Sequence, residues 1–229
     1  MVLLGHGARL RVMALIPARD SEATVGEVVR GLQRALPEAT VLVVDDGSAD
    51  ETSGAARAAG ADVIRHEVNR GKGAALQTGF DEAVRRGAER VITLDADRQH
   101  DPSRAPQLLL ALEGADIVIG SRDRDRTGMP WIRRATNSVM TWIVSHLARH
   151  RIPDTQSGFR AVRSSVFTAV RPGSQRFEYE SEFLIEAGRK GFTFGSVAIP
   201  TLYNAPGSHI RPFRDTLRFI RLLFRRWND

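Results

Sequence analysis

Asp95-Ala96-Asp97 follows directly on the apolar run Val91-Ile92-Thr93-Leu94. Two carboxylates one residue apart, where a buried strand meets a loop, suit one divalent cation beside phosphates, whose oxygens complete the ion's shell together with water. Such an ion offsets charge on a departing diphosphate. A second acidic pair, Asp45-Asp46, ends the run Val41-Leu42-Val43-Val44 and leads into Gly47-Ser48. A carboxylate there can accept from a ribose hydroxyl or a base N–H, Gly47 permits a tight turn, and Ser48 or Asp50 can cap the helix that follows. The repeated arrangement points to a nucleotide–metal site. Beside it, His100 reads equally as a metal neighbour or as a structural histidine. Asn69-Arg70-Gly71-Lys72-Gly73 lacks the spacing and terminal Ser/Thr of Gly-x4-Gly-Lys-Ser/Thr, so alone it reads as a glycine-rich start to a helix.

Strands must carry these motifs to one place. Strand-like runs cover 11–17, 40–44, 62–65, 91–94 and 116–119. Between them, Val25, Val28, Val29, Leu32 and Leu36 have helical spacing after a cap at Ser21 or Thr24, and 74–84 reads as the next helix. The alternation predicts an α/β, Rossmann-like domain with a mostly parallel central sheet and helices on both faces. Ligands of such sheets sit at the carboxyl ends of the strands, where both acidic pairs fall. From Ser121 to Pro130 the chain is charged and turn-rich, which predicts a mobile loop near the site. A long amphipathic segment over 131–149, an acidic helix over 179–190 and a strand ending Val197-Ala198-Ile199-Pro200 follow. With no repeat, low-complexity tract or linker, 1–229 reads as a single catalytic domain.

At 229 residues and 42% hydrophobic content, the chain can bury one full core. No apolar run approaches the ~20 residues of a spanning helix, and the first eleven residues are too short and glycine-rich for a secretory signal. With no cysteine there is neither a disulfide framework nor thiolate chemistry, which fits a cytosolic home. The net charge of +6 is nearly all arginine, since Lys72 and Lys190 are the only lysines. Arginine-rich coding and an anionic partner both account for that. Phe213, Leu217, Ile220, Phe224 and Trp227 fall on one helical face, beside a stripe of Arg214, Arg218, Arg221 and Arg225. Residues 212–229 therefore read either as a last helix packed on the domain or as a helix in the membrane interface with arginines on anionic headgroups. Arginine does not track a groove with interleaved aromatics, which argues against a nucleic-acid partner.

Taken together, Ile16-Pro17-Ala18 with Glu22, Asp45-Asp46-Gly47-Ser48, Asn69-Arg70-Gly71-Lys72-Gly73 and Asp95-Ala96-Asp97-Arg98-Gln99-His100 resemble the inverting glycosyltransferases of the GT-A fold. In particular they are similar to the dolichol- and polyprenyl-phosphate mannose or glucose synthases, in order and spacing over roughly 12–227. The resemblance implies a nucleotide-sugar donor (GDP-mannose or UDP-glucose type), Mg2+ or Mn2+, and a polyprenyl phosphate acceptor. It implies that Pro17, Ala18, Glu22 and Asp46 line the nucleoside pocket, with Lys72 on the donor side, and that Asp95, Asp97 and Gln99 hold metal and diphosphate. Arg122, Arg134 and Ser138 match positions near the acceptor phosphate. Asp154, in Asp-x3-Gly-Phe-Arg, either orients the donor sugar or caps a helix. Asp20 stands where the family often has Asn. His209 and Arg211 stand where many mannose synthases carry an arginine and Gly-x-Ser-Lys, and would replace those cations.

A phosphate monoester is already ionised near neutral pH, its second pKa being about 6, so its attack needs no strong base. The resemblance thus implies in-line inversion, with Asp97, Arg122, Arg134 and Asp154 as the catalytic set. A lipid-linked acceptor places the enzyme in the cytoplasm, peripheral on the inner face of the plasma membrane, held by 212–229 and 131–147 or by a membrane-protein partner. The alternative is a transferase of the same fold acting on a sugar, small metabolite or other lipid, with Asp154, Glu180 or Glu182 as base. A distant one is a basic, non-enzymatic nucleic-acid binder.

Overall fold

The computed structural model describes residues 10–122, 131–176 and 178–200, without the side chains of 122 and 131–136. Strand β1 (Val12–Ala18) is apolar throughout because both its faces are covered: Met13 and Leu15 enter one core, Ala14, Ile16 and Ala18 the other. Next come α1 (Glu22–Ala35), β2 (Thr40–Asp45), α2 (Thr52–Ala58), β3 (Asp62–Arg65), α3 (Lys72–Arg85) and β4 (Arg90–Thr93). Helix α1 buries Val25, Val28, Val29 and Leu32 at 3–4 spacing, starts with Glu22 in its first turn and carries Arg34 in its last, as the helix dipole favours. Ser21 stands at its N-cap position, but the hydroxyl donates to Arg19 O and caps no helix N–H.

A short turn, Pro102–Arg104, leads into α4 (Ala105–Ala111), and then follow β5 (Ile117–Arg122), α5 (Trp131–Leu147), β6 (Arg160–Arg163), α6 (Ser164–Ala169), α7 (Glu178–Arg189) and β7 (Phe194–Ile199). The sheet has seven strands in the order β3-β2-β1-β4-β6-β5-β7. β6 runs antiparallel to both neighbours and every other pairing is parallel. Helices α1, α2 and α4 cover one face; α3, α5, α6 and α7 cover the other. On the second face Phe80 stacks between Phe167 and Phe183 at 5.6 and 5.5 Å.

The parallel α/β sheet and its two covered faces match the expectation from sequence. Three elements were not anticipated: β6, α4 and α6. Of the expected loop over 121–130, Ser121 and Arg122 instead extend β5, and the rest lies outside the described residues. Among the described residues no helix is long and apolar enough to cross a membrane.

Candidate active site

From β1 the chain runs outward to β2 and β3 on one side, while β4 and the later strands lie on the other, so a crevice opens between the carboxyl ends of β1 and β4. Pro17 and Ala18 form the floor at the end of β1, with Ala18 O accepting from Asp46 N at 2.9 Å. Asp45 is fully buried and accepts from Ser48 N at 2.9 Å and from the Ser48 and Ser53 hydroxyls, with Arg65 Nε 3.8 Å away. Burial pushes this carboxyl up, but those donors and Arg65 together outweigh it and hold the pKa below the ordinary value. Asp46 accepts from Arg70 N at 2.9 Å and Gly71 N at 2.7 Å and meets His66 Nδ1 at 2.8 Å. Its described contacts therefore clamp the 66–71 loop against the end of β2. Gly47 has φ +68°, and a Cβ there would lie 2.6 Å from Asn69 N, so a side chain would drive that loop away.

Beside this floor, the turn after β1 and the turn after β2 are laced together. Asp20 N donates to Ser48 Oγ at 3.0 Å, and Ala49 N to Asp20 Oδ1 at 2.8 Å. Glu22 N donates to Asp50 Oδ2 at 3.0 Å, and Glu51 N to Glu22 Oε2 at 2.9 Å. Asp20 adopts φ 47°, a region that Asp and Asn enter more readily than other side chains, and its acceptor role needs only the oxygen that both residue types carry. The departure from Asn at position 20 thus keeps the local geometry.

On the β4 side, Thr93 Oγ1 donates to Gly158 O at 2.8 Å and draws the 157–160 segment against Asp95. A Cβ on Gly158 would come within 2.5 Å of Asp95 Oδ2, so a side chain there would displace that carboxylate. Lys72 Nζ lies 2.7 Å from Asp95 Oδ1 and 2.9 Å from Glu180 Oε2. Burial works against both charges, yet the pair keeps the Asp95 carboxyl below its usual value and the Lys72 ammonium above its own. Asp97 goes the other way. Burial and the neighbouring Asp95 charge raise it, and the Gln99 N–H donated to its Oδ1 at 3.0 Å does not compensate. Two hard carboxylate oxygen donors on one loop fit Mg2+ or Mn2+. Among the described residues no group of three or more His, Cys, Asp or Glu forms a complete metal cage, so phosphate and water would have to supply the remaining ligands. The side chain of Gln99 is half-buried on the same loop, and His100 packs its ring on Phe159 at 5.7 Å.

The glycines of Asn69-Arg70-Gly71-Lys72-Gly73 serve packing. A Cβ on Gly71 would lie 2.5 Å from Gln175 O, one on Gly73 would lie 2.8 Å from Arg176 O and collide with Tyr179, and Ala74 N donates to Gln175 O at 2.9 Å. The first turn of α3 is thereby pressed onto Gln175, Arg176 and Tyr179, which aims Lys72 at Asp95. Glu180 is the residue that sequence reasoning weighed only as a base. Arg160 NH2 stands 3.6 Å from its other oxygen, while the guanidinium donates to the carbonyls of Ser157, Thr155 and Glu180 at 2.8, 3.1 and 3.4 Å. Asp154 is buried, and its Oδ1 accepts from Gln156 N at 3.1 Å in a local turn. Thr141 and Thr155 hydroxyls, 3.2 Å apart, join that turn to α5, where Ser138 is exposed. The side chains of Arg122 and Arg134, and all of His209, Arg211 and 212–229, lie outside the described residues.

Residues 13–171 match the family described as glycosyl transferase family 2. The chain is 32% identical to a polyprenol monophosphomannose synthase of Mycolicibacterium smegmatis, covering 82% of this chain and 76% of that one. It is 29% identical to a UDP-N-acetylglucosamine–dolichyl-phosphate N-acetylglucosaminyltransferase of Methanococcus voltae, over 84% and 86% of the two chains. Glucosyl-3-phosphoglycerate synthase of Mycobacterium tuberculosis, solved with Mn2+, uridine diphosphate and phosphoglyceric acid, superposes with a TM-score of 0.74 at 22% identity, over 95% of this chain and 77% of that one, and so shares its fold. The chain belongs to glycosyl transferase family 2 and has the GT-A fold.

Proposed function

We propose that this glycosyltransferase moves a hexose from a nucleotide-sugar to a polyprenyl phosphate, with inversion and with Mg2+ or Mn2+. The observation that carries the reading is the Asp95–Asp97 pair at the crevice beside β1, with one carboxylate balanced by Lys72 and the other raised by burial. Asp95, Asp97 and Gln99 would hold the ion, which when bound takes up charge on the departing diphosphate. Pro17, Ala18, Glu22 and the loop clamped by Asp46 shape the nucleoside pocket. Arg122, Arg134 and Ser138, with His209 and Arg211, hold the acceptor phosphate, arginine forks engaging its oxygens in pairs. Asp154 orients the donor sugar through the turn it closes. Alignment and preorganised charge then do most of the catalysis.

A polyprenyl phosphate acceptor is supported by the relatives from Mycolicibacterium smegmatis and Methanococcus voltae, whose names carry polyprenol and dolichyl phosphate. It is also supported by the commitments of the acidic side chains. Glu180 is tied to Lys72 and Arg160, and Glu182 accepts from Ser174 N at 2.9 Å, so neither is poised as the base a sugar hydroxyl would require. Val139 and Trp142 stand 56% and 65% exposed on α5, an apolar face suited to lipid. The enzyme would then work from the cytoplasm, peripheral on the inner face of the plasma membrane.

The test is nucleoside diphosphate release from GDP-mannose, UDP-glucose and UDP-N-acetylglucosamine, with and without divalent metal and undecaprenyl phosphate. Release that needs both supports the reading and names the donor. Intact donors in the presence of a folded, nucleotide-binding protein move the acceptor to sugars or small metabolites.

A further inference from the structure

Lys72 is one of two lysines in the chain, and it sits in a partly buried row of alternating charges: Asp95, Lys72, Glu180, Arg160. The two ends of the row differ in freedom. Arg160 is pinned by three backbone carbonyls, and Glu180 lies against it. At the other end of the row Asp95 presents its Oδ2 to Gly158, where a Cβ would come within 2.5 Å of that oxygen. Lysine is the fitting residue between them. Its compact ammonium carries three rotatable donors, so it can serve two carboxylates at once and leave one without losing the other. A divalent cation reaching Asp95 therefore meets a positive charge already 2.7 Å from that carboxylate.

We infer that Lys72 is an exchangeable counter-ion: its ammonium holds Asp95 until the divalent cation arrives, then moves wholly onto Glu180, which the Arg160 clamp keeps in place to receive it. This rests on the metal reading of Asp95 and Asp97. Lys72 and Glu180 are positioning residues in this exchange. The displacement is small, since the ammonium is already 2.9 Å from Glu180. It ties occupancy of the donor side to α7 and to the 155–160 segment, which is joined in turn to α5.

The scarcity of lysine makes the exchange directly observable. In protein labelled with 15N at the lysine side chains, Lys190→Arg leaves Lys72 as the sole ammonium signal. Titration with Mg2+, alone and then with UDP, should shift that signal with the same midpoint as the backbone amides of 95–97. Amides that move while the ammonium stays fixed would overturn the exchange and leave the metal site standing. If neither moves under either condition, the metal reading itself fails, and the exchange with it.

A double-mutant cycle on Mg2+ binding, measured by calorimetry, separates exchange from simple through-space charge. Glu180→Gln should weaken binding by about tenfold in the wild-type background, and by much less once Lys72→Met has removed the ion that needs a destination. Lys72→Met alone should tighten binding. An equal loss from Glu180→Gln in both backgrounds, or weaker binding in Lys72→Met, contradicts the proposal.

Discussion

At the scale of single residues, two carboxylates two positions apart are shifted in opposite directions: Asp95 below its ordinary value by Lys72, Asp97 above it by burial. Replacing Asp97 with Ala should lower turnover by roughly 10²–10³-fold, with the thermal unfolding midpoint nearly unchanged. Metal-dependent activity that survives the change would refute the assignment. Asp45 has the contrasting role of a buried strut. Asp45→Asn should cost about 1–3 kcal/mol in urea unfolding near neutral pH, because it weakens a fully bonded buried acceptor. Asp45 has a folded pKa below the ordinary 3.8, so its contribution is complete above that value and is lost as pH falls through the folded one. The gap between wild type and Asp45→Asn should therefore close only below about pH 4. Sequence marked the positions of Asp45, Asp46, Asp95 and Asp97, because each follows an apolar run. It did not show which way their oxygens face. Asp46 turns to the 66–71 loop, and the partner of Lys72, Glu180, lies far away along the chain.

Elements are placed by glycines as much as by apolar faces. Gly73→Ala would push the first turn of α3 off Gln175, Arg176 and Tyr179 and should destabilise the fold by about 1–3 kcal/mol, read from the urea midpoint. Gly158→Ala intrudes on Asp95 instead, and should weaken Mg2+ binding measurably more than it lowers stability. A large stability loss with unchanged Mg2+ affinity would count against that placement. Most of the sheet and the longer helices were legible, since β1, β2 and β4 are continuous apolar runs and α1 repeats at 3–4 spacing. The elements that escaped are short. β6 has four residues with arginine at both ends, and it is inserted antiparallel between β4 and β5 by pairing with residues far along the chain. α4 and α6, with seven and six residues, are too brief to display a period.

For the whole molecule, a two-faced α/β domain presents its crevice at one end of the sheet and an exposed Val139–Trp142 face on α5. Deleting 213–229 should weaken binding to anionic liposomes far more than binding to nucleotide, and added salt should weaken the liposome binding of the intact chain. Equal losses of both would mark that segment as a packed helix. The fold alone cannot choose the acceptor, because the structurally similar mycobacterial enzyme was solved with phosphoglyceric acid.

The most direct measurement follows a radiolabelled sugar from its nucleotide into the organic phase, with undecaprenyl phosphate and phosphoglyceric acid offered side by side. The account predicts label in a lipid phosphate product only when divalent metal is present, and none after Asp97→Ala. Label in a water-soluble product, with the lipid left unmodified, would contradict it.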